Sequence, residues 1–155
     1  MTADEPNWLT EEQLIAWRQF ASVLMKLPSR LNAQMLRDAG ITHFEYAVLA
    51  ALSESPDRTM RMSELASQAD AALPRLSQVA SRLEDRGWVK RHTDPNDARC
   101  NLATLTDDGW DKVVASAPGH VNEVRRLVID TLTPAQVSQL QRISERITDA
   151  IDSDL

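Results

Sequence analysis

Residues 73–109 read LPRLSQVASRLEDRGWVKRHTDPNDARCNLATLTDDG, and the hydrophobic period changes within them. Leu76, Val79, Ala80 and Leu83 recur at helical spacing, which predicts a helix over Leu73–Arg86. Pro74 falls in its first turn, where a missing N–H costs little, and Gly87 is a natural stop. Trp88–Thr93 then read as a strand, Asp94–Asp97 as a loop and Asn101–Leu105 as a returning strand. Opposite the apolar stripe the helix carries Arg75, Ser77, Gln78, Ser81 and Arg82. The DNA major groove, about 12 Å wide, accepts one such helix, whose polar face can then reach base edges.

Upstream of this unit, Thr42 and Glu45 form a capping box for a helix bearing Phe44, Val48, Leu49 and Leu52, which ends at the Pro56–Asp57 turn. Ser63 can cap a short helix from Glu64 to about Ala69 that buries Leu65. Three short helices followed by a hairpin are the order of a winged helix-turn-helix. Further out, Thr10 and Gln13 open a long helix with Leu14, Trp17, Ala21, Leu24, Leu31 and Met35 near one face. Pro28 predicts a kink or break there, and Gly40 a stop. Downstream, Thr106 can cap a helix reaching about Ile129, bent near Pro118–Gly119. Thr133–Pro134 with Gln136 starts a last helix carrying Val137, Leu140, Ile143 and Ile147. The fold class is therefore mostly α with a small β wing.

The net charge of −6 argues at first against a nucleic-acid partner. Its distribution reverses that argument. Residues 57–105 carry eight basic and seven acidic side chains, whereas both flanking segments are acidic. Phosphate attraction acts over a screening length of roughly 8 Å, so an acidic total does not exclude DNA. The single cysteine, Cys100, rules out an internal disulfide and leads us to expect a cytoplasmic protein. Met1–Thr10 is polar and acidic, unlike a signal peptide, and no apolar run approaches the roughly 20 residues of a membrane span.

The run Asp97-Ala98-Arg99, then Leu105-Thr106 and Gly109, fits the pattern D-x-R-x-x-x-x-x-L-T-x-x-G, with Arg82–Arg91 just upstream. Together these residues resemble the MarR family of bacterial regulators. The resemblance extends over nearly the whole chain. It implies a winged helix-turn-helix DNA-binding domain at 41–105, flanked by dimerisation helices at 10–40 and 106–151. It also implies a homodimer on double-stranded DNA, acting as a ligand-responsive repressor at a near-palindromic promoter site. The helix Leu73–Arg86 would enter the major groove, with Arg75, Ser77, Gln78 and Arg82 as candidate contacts. Arg99 would be the wing arginine that reaches the minor groove, and Asp97 would brace the wing by charge pairing. Four positions depart from the family's habits: Ala72 where a Ser cap is frequent, Pro74 in the first turn, Ser81 for an Asp, and Ala98 for a second Arg.

The family commonly releases DNA when a small aromatic or anionic effector binds between its two modules. Trp17, Phe20, His43, Phe44 and Trp110 are the candidate pocket residues, with plain core packing as the alternative for each. The amphipathic helices near each terminus are expected to pair across a two-fold axis, burying Trp17, Leu24, Val137, Leu140 and Ile147. Cys100 is expected to be an ordinary thiol, although neighbouring Arg99 could lower its pKa and favour peroxide sensing. His43, His92 and His120 are scattered without metal-ligand spacing, and neither a metal nor another cofactor is expected. There is no G-x-S-x-G, H-E-x-x-H or phosphate loop, and only four glycines, so an enzyme is not expected. The competing reading is a winged-helix protein–protein adaptor without DNA binding.

Overall fold

The computed structural model describes residues 6–153. Its elements follow in the order α1 (Glu11–Ala39), α2 (His43–Glu54), β1 (Thr59–Arg61), α3 (Met62–Gln68), α4 (Leu73–Asp85), β2 (Val89–Asp94), β3 (Asp97–Leu105), α5 (Asp107–Leu127) and α6 (Pro134–Asp152). The fold is mostly helical, with an antiparallel sheet in the order β1-β3-β2. Among the described residues no helix is long and apolar enough to cross a membrane.

Four of the five expected caps are present, at Thr10, Thr42, Thr106 and Thr133, and Ser63 is the exception. Thr10 with Gln13, Thr42 with Glu45 and Thr133 with Gln136 each form a reciprocal capping box that satisfies two otherwise orphaned N–H groups. Gly40 closes α1 in the left-handed conformation at φ 68°. The expected break at Pro28 does not occur, and α1 runs through it. Pro28 is exposed, so water can take the carbonyl that it leaves unpaired, and the helical turns on both sides carry the segment across. Pro118 likewise lies inside an unbroken α5. Its neighbour Gly119 serves a close approach, because a Cβ there would lie 3.2 Å from Gln34 Nε2 of α1.

Three boundaries differ from expectation. The strand β1 escaped the sequence reading because three residues are too few to display an alternating pattern. It pairs with β3 in the register Thr59↔Thr104, Met60↔Ala103 and Arg61↔Leu102, and the two threonine hydroxyls hydrogen-bond at 2.8 Å. Because β1 feeds straight into α3, that helix starts at Met62 with Arg61 at the cap position and no side-chain cap bond, so Ser63 is not the cap. The strand β3 begins at Asp97 rather than Asn101, leaving only Pro95 and Asn96 as the turn. Asp94 makes this tight turn possible by accepting the Asn96 N–H at 2.9 Å, the side chain mimicking a backbone turn.

The core lies between α2, α3, α4, the base of the sheet and one end of α1 and α5. Leu76, Val79, Ala80 and Leu83 of α4 are buried against Leu49, Leu52, Leu65 and Ala103. In contrast, α6 buries no residue, and Leu140, Ile143, Ile147 and Ile151 are exposed along it. Trp17, Phe20 and Leu24 of α1 are exposed as well.

The joint from the sheet into α5 explains the L-T-x-x-G part of the motif. Leu105 is core, and the Thr106 hydroxyl donates to Gly87 O at 2.6 Å while accepting the Gly109 N–H at 3.0 Å. The Thr106 N–H meets Trp88 O at 3.0 Å. A Cβ on Gly109 would collide with that same Trp88 carbonyl and lie 2.6 Å from Leu105 Cδ1. Backbone cannot swing aside as a flexible side chain can. Gly109→Ala is therefore expected to destabilise the protein by about 1–3 kcal/mol, the usual cost of overpacking a tight site. Urea unfolding checks this, and an unchanged midpoint would mean that the joint has slack.

Candidate nucleic-acid interface

At 100° per residue, the buried stripe of α4 leaves Gln78, Ser81 and Asp85 pointing most directly away from the core. Arg75 and Arg82 flank this outer line on the α2 side, and Ser77 and Glu84 flank it on the wing side. The contacts follow that arrangement. The Arg75 guanidinium lies over the Phe44 ring, 4.3 Å from its centroid. Arg82 Nε is 3.4 Å from Glu45 Oε1, on the residue whose other oxygen completes the α2 capping box. Gln78 is exposed and has no hydrogen-bond partner among the described residues.

The wing side of α4 is tied down by Arg91, which the sequence reading passed over as a strand residue. Its N–H donates to Glu84 Oε2 at 2.8 Å, and its guanidinium reaches Glu84 Oε1 at 3.3 Å and the Ser77 hydroxyl at 3.3 Å. The backbone hydrogen bond from Arg91 is the main reason the Glu84 carboxyl is held below its ordinary pKa. Ser77 therefore belongs to a clamp between α4 and β2 as well as to the polar face. Nothing in the spacing of these three residues signals that clamp, because it depends on how the strand crosses the helix.

At the wing, Asp97 accepts from the Arg99 N–H and from Arg99 Nε, both at 3.1 Å. These bonds, the side-chain one first, lower the Asp97 pKa. The rest of the Arg99 side chain projects into solvent at 90% exposure. Asp94, nearly buried, takes a second arginine, with Arg61 Nη2 at 3.4 Å. The turn thus rests on two carboxylates, of which the sequence reading named one. The Cys100 thiol is pushed up in pKa by burial and by its hydrogen bond to Asp97, so the arginine next door does not activate it. An open cleft of about 580 Å³ separates the start of α4 from the wing, with Met62, Leu73, Ser77, Arg91 and Arg99 among its walls.

The five candidate pocket residues sit in different places within the single chain. Trp17 and Phe20 pair on α1, with ring centroids 6.4 Å apart. Phe44 lies under Arg75, and Trp110 lies under Arg58, whose guanidinium is 4.1 Å from the ring centroid. His43, at the start of α2, packs on His120 of α5 at 5.3 Å, and Tyr46 packs on the same ring at 4.8 Å. None of the five lines the cleft beside the wing or the one bordered by Val23, Leu27 and Leu127. Around His120 the packing is polar but incomplete. Its Nδ1 and the Oε1 of Gln34 are buried without hydrogen-bond partners among the described residues, while Gln34 Nε2 donates to Asp38 at 2.9 Å. The pairing of His43 with His120 was invisible in the sequence because 77 positions separate them.

Comparison with known proteins bears on the whole chain. The MarR family profile matches residues 41–101. The crystal structure of Sco3205, a MarR family transcriptional regulator from Streptomyces coelicolor in complex with DNA, is 42% identical. That match covers 96% of this chain and 92% of Sco3205, with a TM-score of 0.90. AbsC, a MarR family transcriptional regulator from the same organism, is 34% identical over 96% of this chain and 99% of its own, also with a TM-score of 0.90. The transcriptional repressor MprA of Escherichia coli is 26% identical over 141 residues, 91% of this chain and 79% of MprA.

The histidine pair has a measurable consequence. Burial lowers the pKa of both rings, and the neighbouring His120 further disfavours a charge on His43. The unfolded chain thus binds protons before the folded one does. The stability this adds is fully present above the ordinary histidine pKa of about 6.5 and is lost as pH falls through the folded values. The melting temperature should fall between pH 7.5 and 5.5, and His120→Phe, which keeps a ring against Tyr46, should flatten that fall. Parallel curves for the two proteins would show that the pair does not contribute.

Proposed function

This chain belongs to the MarR family of transcriptional regulators, which are not enzymes, and on that premise we propose that it is a ligand-responsive repressor binding a near-palindromic promoter site as a homodimer. The observation that carries this reading is an unpartnered polar group on α4 together with an exposed wing arginine that Asp97 holds in place. Gln78 stands unpartnered on the outer line of α4, and the Arg99 head projects from a wing braced at its base. A helix in the major groove with a wing over the adjacent minor groove uses both. Sco3205, similar over 96% of this chain, forms a complex with DNA, which supports DNA as the partner.

Gln78 is assigned to a base edge, where a bidentate contact to adenine is possible, and Arg75 and Arg82 to flanking bases or phosphates. Releasing Arg75 from Phe44 costs about 0.5–1 kcal/mol, and releasing an exposed pair such as Arg82–Glu45 costs about 0–1 kcal/mol. Both are small beside a charge-assisted contact to phosphate, so the resting contacts store the arginines without blocking them. Ser77 contributes through the Arg91 clamp as much as through its hydroxyl. Residues 41–105 form the DNA-binding unit in this reading. The helices within 10–40 and 106–151 are assigned to the dimer, because a single chain leaves Trp17, Leu24, Leu140 and Ile147 exposed. The half-sites then lie about one helical turn apart.

A small aromatic or anionic effector is assigned to the region between these two modules, near His43, Phe44 and His120. It would act through different affinities for the DNA-competent and incompetent arrangements. The net charge of −6 favours the rival adaptor reading, and salt dependence separates the two. Binding of the full chain to its upstream DNA should weaken steeply as salt rises from low to physiological. Arg99→Ala should weaken all sequences and flatten that dependence, whereas Gln78→Ala should cost about 1–3 kcal/mol at one base pair per half-site. Salt-independent binding, or an Arg99→Ala protein that binds like the parent, overturns the docking scheme.

The dimer assignment is tested by ending the chain before Thr133. Loss of dimerisation together with solubility is expected, and sedimentation of that chain as a well-folded monomer or an intact dimer would refute the assignment of α6.

A further inference from the structure

The leading edge of α4 is chemically unusual for a helix meant to enter a groove. Ala72, Leu73 and Pro74 are all exposed, Leu73 at 49%. Ala72 occupies the cap position without a side-chain hydrogen bond, and Pro74 removes one of the first-turn N–H groups. The tip therefore offers less to a phosphate than a Ser- or Asn-capped helix does. Leu73 takes no part in the buried core. It stands instead at the wall of the cleft that also contains Arg99, on the wing side of the helix. About half of this leucine's surface is open, and it lies outside the buried core cluster.

We propose that Leu73 is a specificity-determining residue that recognises the C5-methyl group of one thymine in each half-site. The inference rests on the DNA-binding reading above and adds a base contact to it. In the major groove the thymine methyl is the apolar feature, while the other base edges present nitrogen or oxygen donors and acceptors. The N-terminal residues of a recognition helix are those that reach base edges. A helical side chain also leans toward the helix start, which carries the Leu73 side chain ahead of its own backbone. Against a methyl group, both partners shed water. Against the exocyclic amine of cytosine or adenine, the leucine would strip a polar group of its water and give no hydrogen bond back. The contact thus selects in both directions.

The polar side chains of α4 do not supply this discrimination, because Arg75, Ser77, Gln78 and Arg82 present hydrogen-bonding heads where a methyl group needs an apolar partner. Gln78 and Leu73 lie five residues apart, on different sides of the helix, so they address different base pairs.

The experiment uses the full-length chain and a duplex selected by that protein from a random library. Each thymine of the duplex is replaced in turn by uracil, which deletes the methyl and keeps the pairing. At one position per half-site the parent protein should bind about fourfold more weakly, the fold-change equivalent to ~0.8 kcal/mol for one buried carbon group. Leu73→Ala should bind the thymine and uracil duplexes alike, with an unchanged melting temperature because Leu73 is outside the core. At the same position 5-methylcytosine paired with guanine should bind better than cytosine paired with guanine. Uracil substitution without effect at every position, or an equal loss in Leu73→Ala, overturns the inference while leaving DNA binding intact. If no duplex is enriched at all, the DNA-binding reading falls and this inference falls with it.

Discussion

The arrangement of the molecule depends on one backbone junction, where Thr106 joins Gly87, Trp88 and Gly109. Its hydroxyl and N–H together engage the end of α4, the start of β2 and the first turn of α5. Gly87, at φ 79°, turns the chain out of α4 while the Trp88 N–H returns to Leu83 O at 3.0 Å. Only there, with no Cβ on Gly109, can the backbone of α5 approach the Trp88 carbonyl. Helix α4, the wing and the long helix α5 thus leave one junction in directions set by hydrogen bonds that share Thr106.

The side chain of Trp88 extends this junction to α1. Arg86 and Lys112 lie on its ring at 4.2 and 5.1 Å from the centroid. Lys112 Nζ then donates to Ala39 O at 2.6 Å, and Arg86 reaches Gly40 O at 3.4 Å. Two cations thereby meet the negative end of the α1 dipole, where unpaired carbonyls need donors. Burial and the neighbouring Arg86 lower the Lys112 pKa, the expected response of an ammonium taken partly out of water. Through these contacts the orientation of α1, a helix of the proposed dimer, is mechanically joined to that of α4. A ligand wedged between the two modules would have to work against this joint to change the spacing of two recognition helices.

Polar groups near the interface mostly serve two tasks. Glu45 caps α2 and holds Arg82, while Asp97 shapes the wing turn and orients Arg99. Ser77 and Glu84 secure Arg91 and present the wing-side edge of α4. Such sharing keeps long side chains ordered before DNA arrives, which reduces the entropy lost when they bind. For Arg82 and Arg99, whose side chains are exposed, it also keeps the cost of release to about 1 kcal/mol.

Much of this architecture was legible in the sequence. Local chemistry determined the three capping boxes, the glycine stops, the apolar stripe of α4 and the strand–turn–strand pattern, since each depends on residues within one or two turns. The motif running from Asp97 to Gly109 identified the wing and its arginine. Tertiary structure decided the rest. A three-residue β1 exists only because β3 offers it an edge, and α1 passes through Pro28 because its turns support one another. The Arg91 clamp, the Asp94–Arg61 pair, the His43–His120 contact and the resting places of Arg75 and Arg82 all join residues far apart in the chain. Sequence spacing carries no information about which side chains face one another across a packed interface. That is fixed by crossing angles and strand register, which arise only when the whole core is assembled.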